Sequence, residues 1–140
     1  MARRIPIIKL RGNLIVSIQI ELSDDLVAEL KENIAQDSQQ RDVFGLVLEV
    51  SGVDTFDSYI ASSVREIAKI ARCMGVMTVL AGLDAAMAIT LVEMGMDLEG
   101  VETTLNLESA LDILEDLARE REETDRLIEQ MLIEELEEAS

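Results

Sequence analysis

Histidine and tryptophan are absent from this 140-residue chain, and cysteine, proline and tyrosine occur once each. Without histidine there is no ordinary general base near neutral pH, no Ser-His or Cys-His nucleophile pair, and none of the commonest nitrogen ligand for zinc. Enzymatic readings start from a deficit, and no cofactor or metal is expected. Cys73 alone closes no intrachain disulfide and has no thiolate-activating motif around it, so a reducing cytoplasm is the expected compartment. Cations are scarce too: 12 Lys and Arg stand against 29 Asp and Glu, a formal charge of −17. A nucleic-acid partner needs a basic patch to replace phosphate counterions, and an anionic membrane surface selects for the same feature, so neither fits. Proteins are the expected partners.

Long hydrophobic runs are also missing. Cys73 to Leu83 and Ala85 to Val92, split by Asp84, fall short of the roughly 18–20 residues that span a bilayer. The start, Met1-Ala2-Arg3-Arg4-Ile5-Pro6, has the charge of a signal peptide's first part, but Lys9 and Arg11 interrupt the apolar stretch and no small-residue cleavage site follows. Pro6 is the only proline, which leaves no Pro-rich linker, and there is no internal repeat.

What is present is a chain with 49% apolar residues, enough for one folded domain. Between Ile5 and Ile20 two apolar stretches flank Arg11-Gly12-Asn13, and Leu14, Val16, Ile18 and Ile20 alternate with Ile15, Ser17 and Gln19, predicting two strands joined by a tight turn. Ser23 then precedes Asp24 and Asp25, and Leu26, Val27, Leu30 and Ile34 recur at helical spacing. Gly45 to Val50 reads as a buried strand. Asp57 is a good N-cap for a helix carrying Ile60, Val64, Ile67, Ala68 and Ala71, closed by Gly75. Val76 to Ala81 is another strand, Asp84 caps a short helix from Ala85 to Met94 closed by Gly95, Val101 to Leu105 is a last strand, and Asn106 caps a final helix with Ala110, Leu111, Leu114, Leu117 and Ala118. The order β-β-α-β-α-β-α-β-α, with short loops, predicts an α/β fold: a mixed, mainly parallel sheet with an N-terminal β-hairpin.

Composition changes near the end. Residues 115–140 hold 11 acids against three arginines, Arg119, Arg121 and Arg126, a net −8. The expected organisation is therefore a domain over 1–118 followed by an acidic helical extension or tail over 119–140. Leu127, Ile128, Met131, Leu132 and Leu136 give it an apolar stripe, while its Glu-rich end is expected to fray. Met74, Met77, Met87, Met94 and Met96 are expected to fill gaps in the core or serve as adaptable contacts.

Chemistry concentrates in Val53-Asp54-Thr55-Phe56-Asp57-Ser58-Tyr59, between a strand and a helix. Ser58 falls in the helix's first turn, where an added phosphate meets unsatisfied backbone N–H groups and the positive end of the helix dipole, with Asp54 and Asp57 beside the new charge. Asp and Ser are also simply favoured at helix starts, so spacing alone leaves a purely structural reading open. Ser62 and Ser63 fall inside the helix and suit packing or solvent. Gly82-Leu83-Asp84-Ala85-Ala86 lacks the Gly-Lys-Ser/Thr end of a phosphate-binding loop and reads as a turn and cap.

Over roughly residues 3–118 the chain resembles the STAS (sulfate-transporter and anti-sigma-factor-antagonist) domains, and within them the single-domain stressosome subunits. The resemblance rests on the element order, on Val53-Asp54-Thr55-Phe56-Asp57-Ser58-Tyr59-Ile60, and on Leu80-Ala81-Gly82-Leu83 leading to Ala88-Ile89-Thr90-Leu91-Val92-Glu93-Met94-Gly95. It implies a non-enzymatic phosphoswitch and scaffold, with Ser58 the target of a serine/threonine kinase of the histidine-kinase-like ATPase class. It also implies a large complex with a STAS paralogue co-antagonist bearing an N-terminal sensor domain, release of the kinase on phosphorylation, and a phosphatase that resets the system. Tyr59-Ile60 departs from the Ser or Gly then Gly or Leu of many members, which resembles the stressosome branch and does not carry over direct binding of an anti-sigma factor. Thr90 corresponds to a second phosphorylated threonine in stressosome paralogues; a helix threonine bonding back to its own helix is the alternative. The competing function is a small-molecule-binding sensory module with a pocket near the Asp57 and Asp84 loops, since ligands often bind beyond the carboxyl ends of strands in such sheets.

Overall fold

A computed structural model describes residues 5–19, 22–40, 42–95, 98 and 100–140. Ile20, Met96 and the charged start at Met1 to Arg4 lie outside the described residues. The chain folds as β1 (Ile7–Leu10), β2 (Asn13–Ser17), α1 (Asp24–Asp37), β3 (Gly45–Glu49), α2 (Ser58–Cys73), β4 (Met77–Ala81), α3 (Ala85–Glu93), β5 (Glu102–Thr104) and α4 (Leu107–Glu138). The order expected from the sequence is the order found. Arg11 and Gly12 form the two-residue turn of the opening hairpin, with φ of 53° and 78°, the left-handed geometry whose twist matches that of the flanking strands.

One five-stranded sheet results, in the order β1-β2-β3-β4-β5. β1 pairs antiparallel with β2, and β2, β3, β4 and β5 run parallel in the register Leu14–Leu46, Leu46–Thr78 and Leu80–Thr103. Because each parallel strand is laid beside the last in one direction, right-handed crossovers put α1, α2 and α3 on the same face. The main core is there, where Leu14, Val16, Ile18, Leu46, Leu48, Val50 and Leu80 meet Leu30, Ile34, Val64, Ile67 and Leu91. The opposite face would be bare without α4. Ile15, Val47, Val79 and Ala81 point that way and are covered by Ala110 and Leu114.

The sheet is thus buried on both sides, which explains why β2 is buried at Leu14, Ile15 and Val16 alike and why β3 is a nearly unbroken apolar run. α4 approaches closely at Gly45, where a Cβ would stand 2.7 Å from each Leu114 methyl.

Two expectations need correcting. α4 does not fray at its Glu-rich end but runs to Glu138, with the Ala139 N–H donating to Glu135 O. The physical reason is composition: Leu, Glu, Gln and Met are good helix formers, no Gly or Pro interrupts them, and backbone propagation outweighs an unfavourable dipole term of a few tenths of a kcal/mol per charge. Of Met74, Met77, Met87 and Met94, core filling holds for only one. Met87 is buried, but Met74, Met77 and Met94 are exposed, because each lies at or next to an element end, at the edge of the apolar layer.

Candidate functional site

The carboxyl ends of β2 and β3 open onto the starts of α1 and α2. After β3 the chain turns tightly, with Val53 N–H donating to Val50 O at 3.0 Å. Phe56 is then buried in the main core while Asp54, Thr55, Asp57 and Ser58 on either side of it are exposed. A single aromatic anchor therefore fixes a polar loop against the domain. Asp57 caps α2 twice over: its Oδ1 accepts from Ile60 N–H at 3.0 Å, and its backbone carbonyl accepts from Ala61 N–H at 3.0 Å. Ser58 is the first residue of α2, exposed.

α1 begins in the same way beside it. Ser23 Oγ accepts from Leu26 N–H at 3.2 Å, and the next residue, Asp24, accepts a 2.6 Å hydrogen bond from Tyr59 Oη. That bond stabilises the protonated phenol against a neighbouring carboxylate and pushes the Tyr59 pKa up. Farther along, Lys31 Nζ pairs with Glu66 Oε2, and the ammonium holds the Glu66 carboxyl below its ordinary range. Tyr59–Asp24 and Lys31–Glu66 tie α1 to α2 across 35 residues of sequence in each case. Sequence reasoning placed Asp24 only as a helix-start residue and did not find either tie, because pairing across separate elements leaves no periodic signal.

Between the two helix starts lies an open groove of about 650 Å³, lined among others by Gln19, Ser23, Asp24, Asp54, Asp57 and Tyr59. Among the described residues, three carboxylates line it and no Lys or Arg does. Ser58 does not line the groove but sits on its rim, between Asp57 and Tyr59. The structure thus brings Asp54, Asp57, Ser58 and Tyr59 together on one loop-helix junction.

Thr90 and Asp84 stand apart. Thr90 Oγ1 donates to Ala86 O at 2.9 Å, the back-bond open to a helix threonine, and Asp84 Oδ1 accepts from Met87 N–H at 2.8 Å as the cap of α3. The groove lies against Asp57 and on its other side meets α1 rather than Asp84. That placement has a topological cause, since α1 and α2 start above neighbouring strands while α3 follows β4, one strand farther across the sheet. Ser63 is buried with its hydroxyl donated to Tyr59 O at 2.9 Å, and Ser62 is exposed, the two packing and solvent roles expected of them.

The STAS domain profile matches residues 4–112. Among solved structures, RsbS S58E of Moorella thermoacetica is 38% identical with a TM-score of 0.71, over 84% of this chain and 99% of that one. A chain from the molecular architecture of the stressosome, described as a signal integration and transduction hub, is 39% identical with a TM-score of 0.68, over 81% and 99%. The anti-sigma factor antagonist SpoIIAA in its unphosphorylated form, at 15% identity and a TM-score of 0.58 over 79% and 97%, shares the fold. No curated protein sequence matches the chain significantly.

Proposed function

The chain belongs to the STAS domain family, and from that premise we propose that it is a non-enzymatic stressosome scaffold and phosphoswitch whose phosphoacceptor is Ser58. The observation that carries this reading is the Ser58 hydroxyl, exposed at the first position of a helix whose cap is already made by Asp57. A kinase reaches such a group without unfolding anything. The phosphate then lies at the positive end of the α2 dipole, so the fold tolerates it, while roughly −1.5 to −2 of charge is added beside Asp54 and Asp57. A partner docked on that rim before phosphorylation faces a different potential afterwards. Electrostatic repulsion of this kind acts on the complex and leaves the domain intact.

In this reading residues 1–118 are the STAS domain and 119–140 an appended acidic helix. Burial supports that division: Leu117 and Ala118 are half-buried, and every residue from Arg119 onward is exposed. The partners are a serine/threonine kinase of the histidine-kinase-like ATPase class, a STAS paralogue with an N-terminal sensor domain, and a phosphatase, gathered in a large cytoplasmic assembly. The relative that comes from a stressosome structure supports the assembly. Among the described residues no helix is long and apolar enough to cross a membrane. Thr90 is a second, weaker acceptor, its hydroxyl already engaged by Ala86 O.

One observation favours a second reading, a small-molecule sensory module: the groove of about 650 Å³ beside Asp57. Its acidic lining would select a cationic or neutral polar ligand, and a ligand-dependent melting shift would reveal one.

The switch is tested by incubating the protein with its cognate kinase and ATP and mapping the product by mass spectrometry. Modification is expected at Ser58 and lost in Ser58→Ala; phosphate incorporation unchanged in Ser58→Ala overturns the assignment. Ser58→Asp should weaken kinase capture, by less than the phosphate does, because a carboxylate carries less charge.

A further inference from the structure

The last three turns of α4 expose an apolar face that nothing in the domain covers. Leu127, Ile128, Met131, Leu132 and Leu136 are each between 50% and 72% exposed, and Ile133, 50% exposed, lies beyond their arc. At about 100° per residue these five positions sweep one side of the helix over some two and a half turns. Among the described residues, the last hydrogen bond from the helix to the domain is at Arg121, whose guanidinium donates to Gly75 O at 3.0 Å and stacks 5.6 Å from the Phe44 ring centre. From there it projects for about 25 Å at roughly 1.5 Å per residue. The segment also lies beyond the residues that match the STAS profile.

We propose that this face, from Leu127 to Leu136, is a docking helix for a second protein that presents an apolar groove rimmed by lysine and arginine. Charge chooses the occupant. Residues 127–140 contain five glutamates, Glu129, Glu134, Glu135, Glu137 and Glu138, and no lysine or arginine. Glu135 falls in the middle of the apolar arc and Glu138 at its edge. In a complex with a second copy, Glu135 would be buried against leucine and five acids would face five more, so self-association is opposed. A coiled coil is excluded on pattern as well, because the apolar positions last for fewer than two heptads where a seam needs three or four. Anionic lipid repels the segment for the same reason that it repels the whole chain. A groove with lysine or arginine along its rim and one reaching its floor, by contrast, accepts the apolar face and pairs Glu129, Glu134 and Glu138 at the edges and Glu135 in the middle, while Glu137 faces away to solvent. This is the helix-in-groove mode of recognition with its charges specified.

The test uses the full chain and two synthetic amphipathic peptides of about 18 residues sharing one leucine face, one with lysine and arginine at its polar positions and the other with glutamate. The basic peptide should saturate at one per chain. Ile128→Ser with Leu132→Ser should weaken it by roughly tenfold or more, and Glu134→Gln with Glu135→Gln and Glu138→Gln should weaken it and flatten its salt dependence. The domain's melting temperature should not move in either variant, which separates lost docking from lost folding. Binding that ignores Ile128→Ser with Leu132→Ser is attraction to acidic surface in general and overturns the proposal. So does equal affinity for the glutamate peptide, or a dimer of the chain alone that the same double variant dissolves. The measurement does not involve Ser58 and stands or falls separately from the phosphoswitch.

Discussion

The first turns of α4 and its last turns obey the same helical geometry and have opposite surroundings. Ala110 and Leu114 are completely buried against the sheet, whereas Leu132 and Leu136 are 60% and 72% exposed on the same rod. Both ends carry an apolar stripe. Only one stripe has a face of β3 and β4 to meet, because the sheet extends no farther than the opening turns of α4. The contrast teaches that amphipathic pattern specifies a helix and a sticky side, while the reach of the neighbouring layer decides whether that side stabilises the fold or remains for a partner.

The contrast can be broken most sharply by truncating each end. Leu114→Ala should cost about 2–5 kcal/mol in denaturant unfolding, the usual cost of a cavity in a packed interior, and Leu132→Ala no more than about 0.5 kcal/mol. Equal costs would mean that the extension packs on the domain after all. Gly45→Ala comes next, at about 1–3 kcal/mol of overpacking, because its Cβ is placed 2.7 Å from the Leu114 methyls. Combined with Leu114→Ala it should cost somewhat less than the sum of the two, since the smaller side chain relieves the Leu114 contacts but leaves Asn13 Oδ1, which stands 2.5 Å from the same Cβ. Asp57→Ala should remove about 1 kcal/mol through loss of the α2 cap, while Ser58→Ala beside it should change stability by a few tenths at most. A large loss at Ser58 would make it a structural residue.

The smallest effect concerns the two ties between α1 and α2, and pH separates them. The Glu66 carboxyl is lowered by its hydrogen bond to Lys31, so that tie's contribution is present above the ordinary glutamate range and disappears as pH falls through the lowered value. The Tyr59 phenol is raised by its hydrogen bond to Asp24, so its contribution is present below the ordinary tyrosine range and disappears as pH rises through the raised value. Both groups are on the surface, where screening keeps such contributions small. NMR titration should show Glu66 returning to the ordinary range in Lys31→Ala and Tyr59 returning in Asp24→Asn.

Much of this architecture is legible in the residues themselves. The caps Ser23, Asp57, Asp84 and Asn106 all act as caps, each accepting from a backbone N–H three residues on, because capping depends on local chemistry alone. β3 reads as a buried strand from its mostly apolar run. Less accessible were features set by distance across the fold. The exposed Met74 and Met77 look like core residues in sequence, and only the limit of the apolar layer shows otherwise. Tyr59 meeting Asp24 is likewise a tertiary fact. At the candidate site, the position of Ser58 at the head of α2 follows from sequence, but the acidic groove beside it follows from two helices starting over neighbouring strands.

In the proposed switch, charge added at Ser58 releases a kinase that the unmodified domain holds. Size measurement of the chain mixed with its STAS paralogue and the kinase, before and after ATP, tests it directly. Kinase should leave the assembly after ATP with the wild-type chain and stay bound with Ser58→Ala; release that proceeds equally with Ser58→Ala would contradict the account.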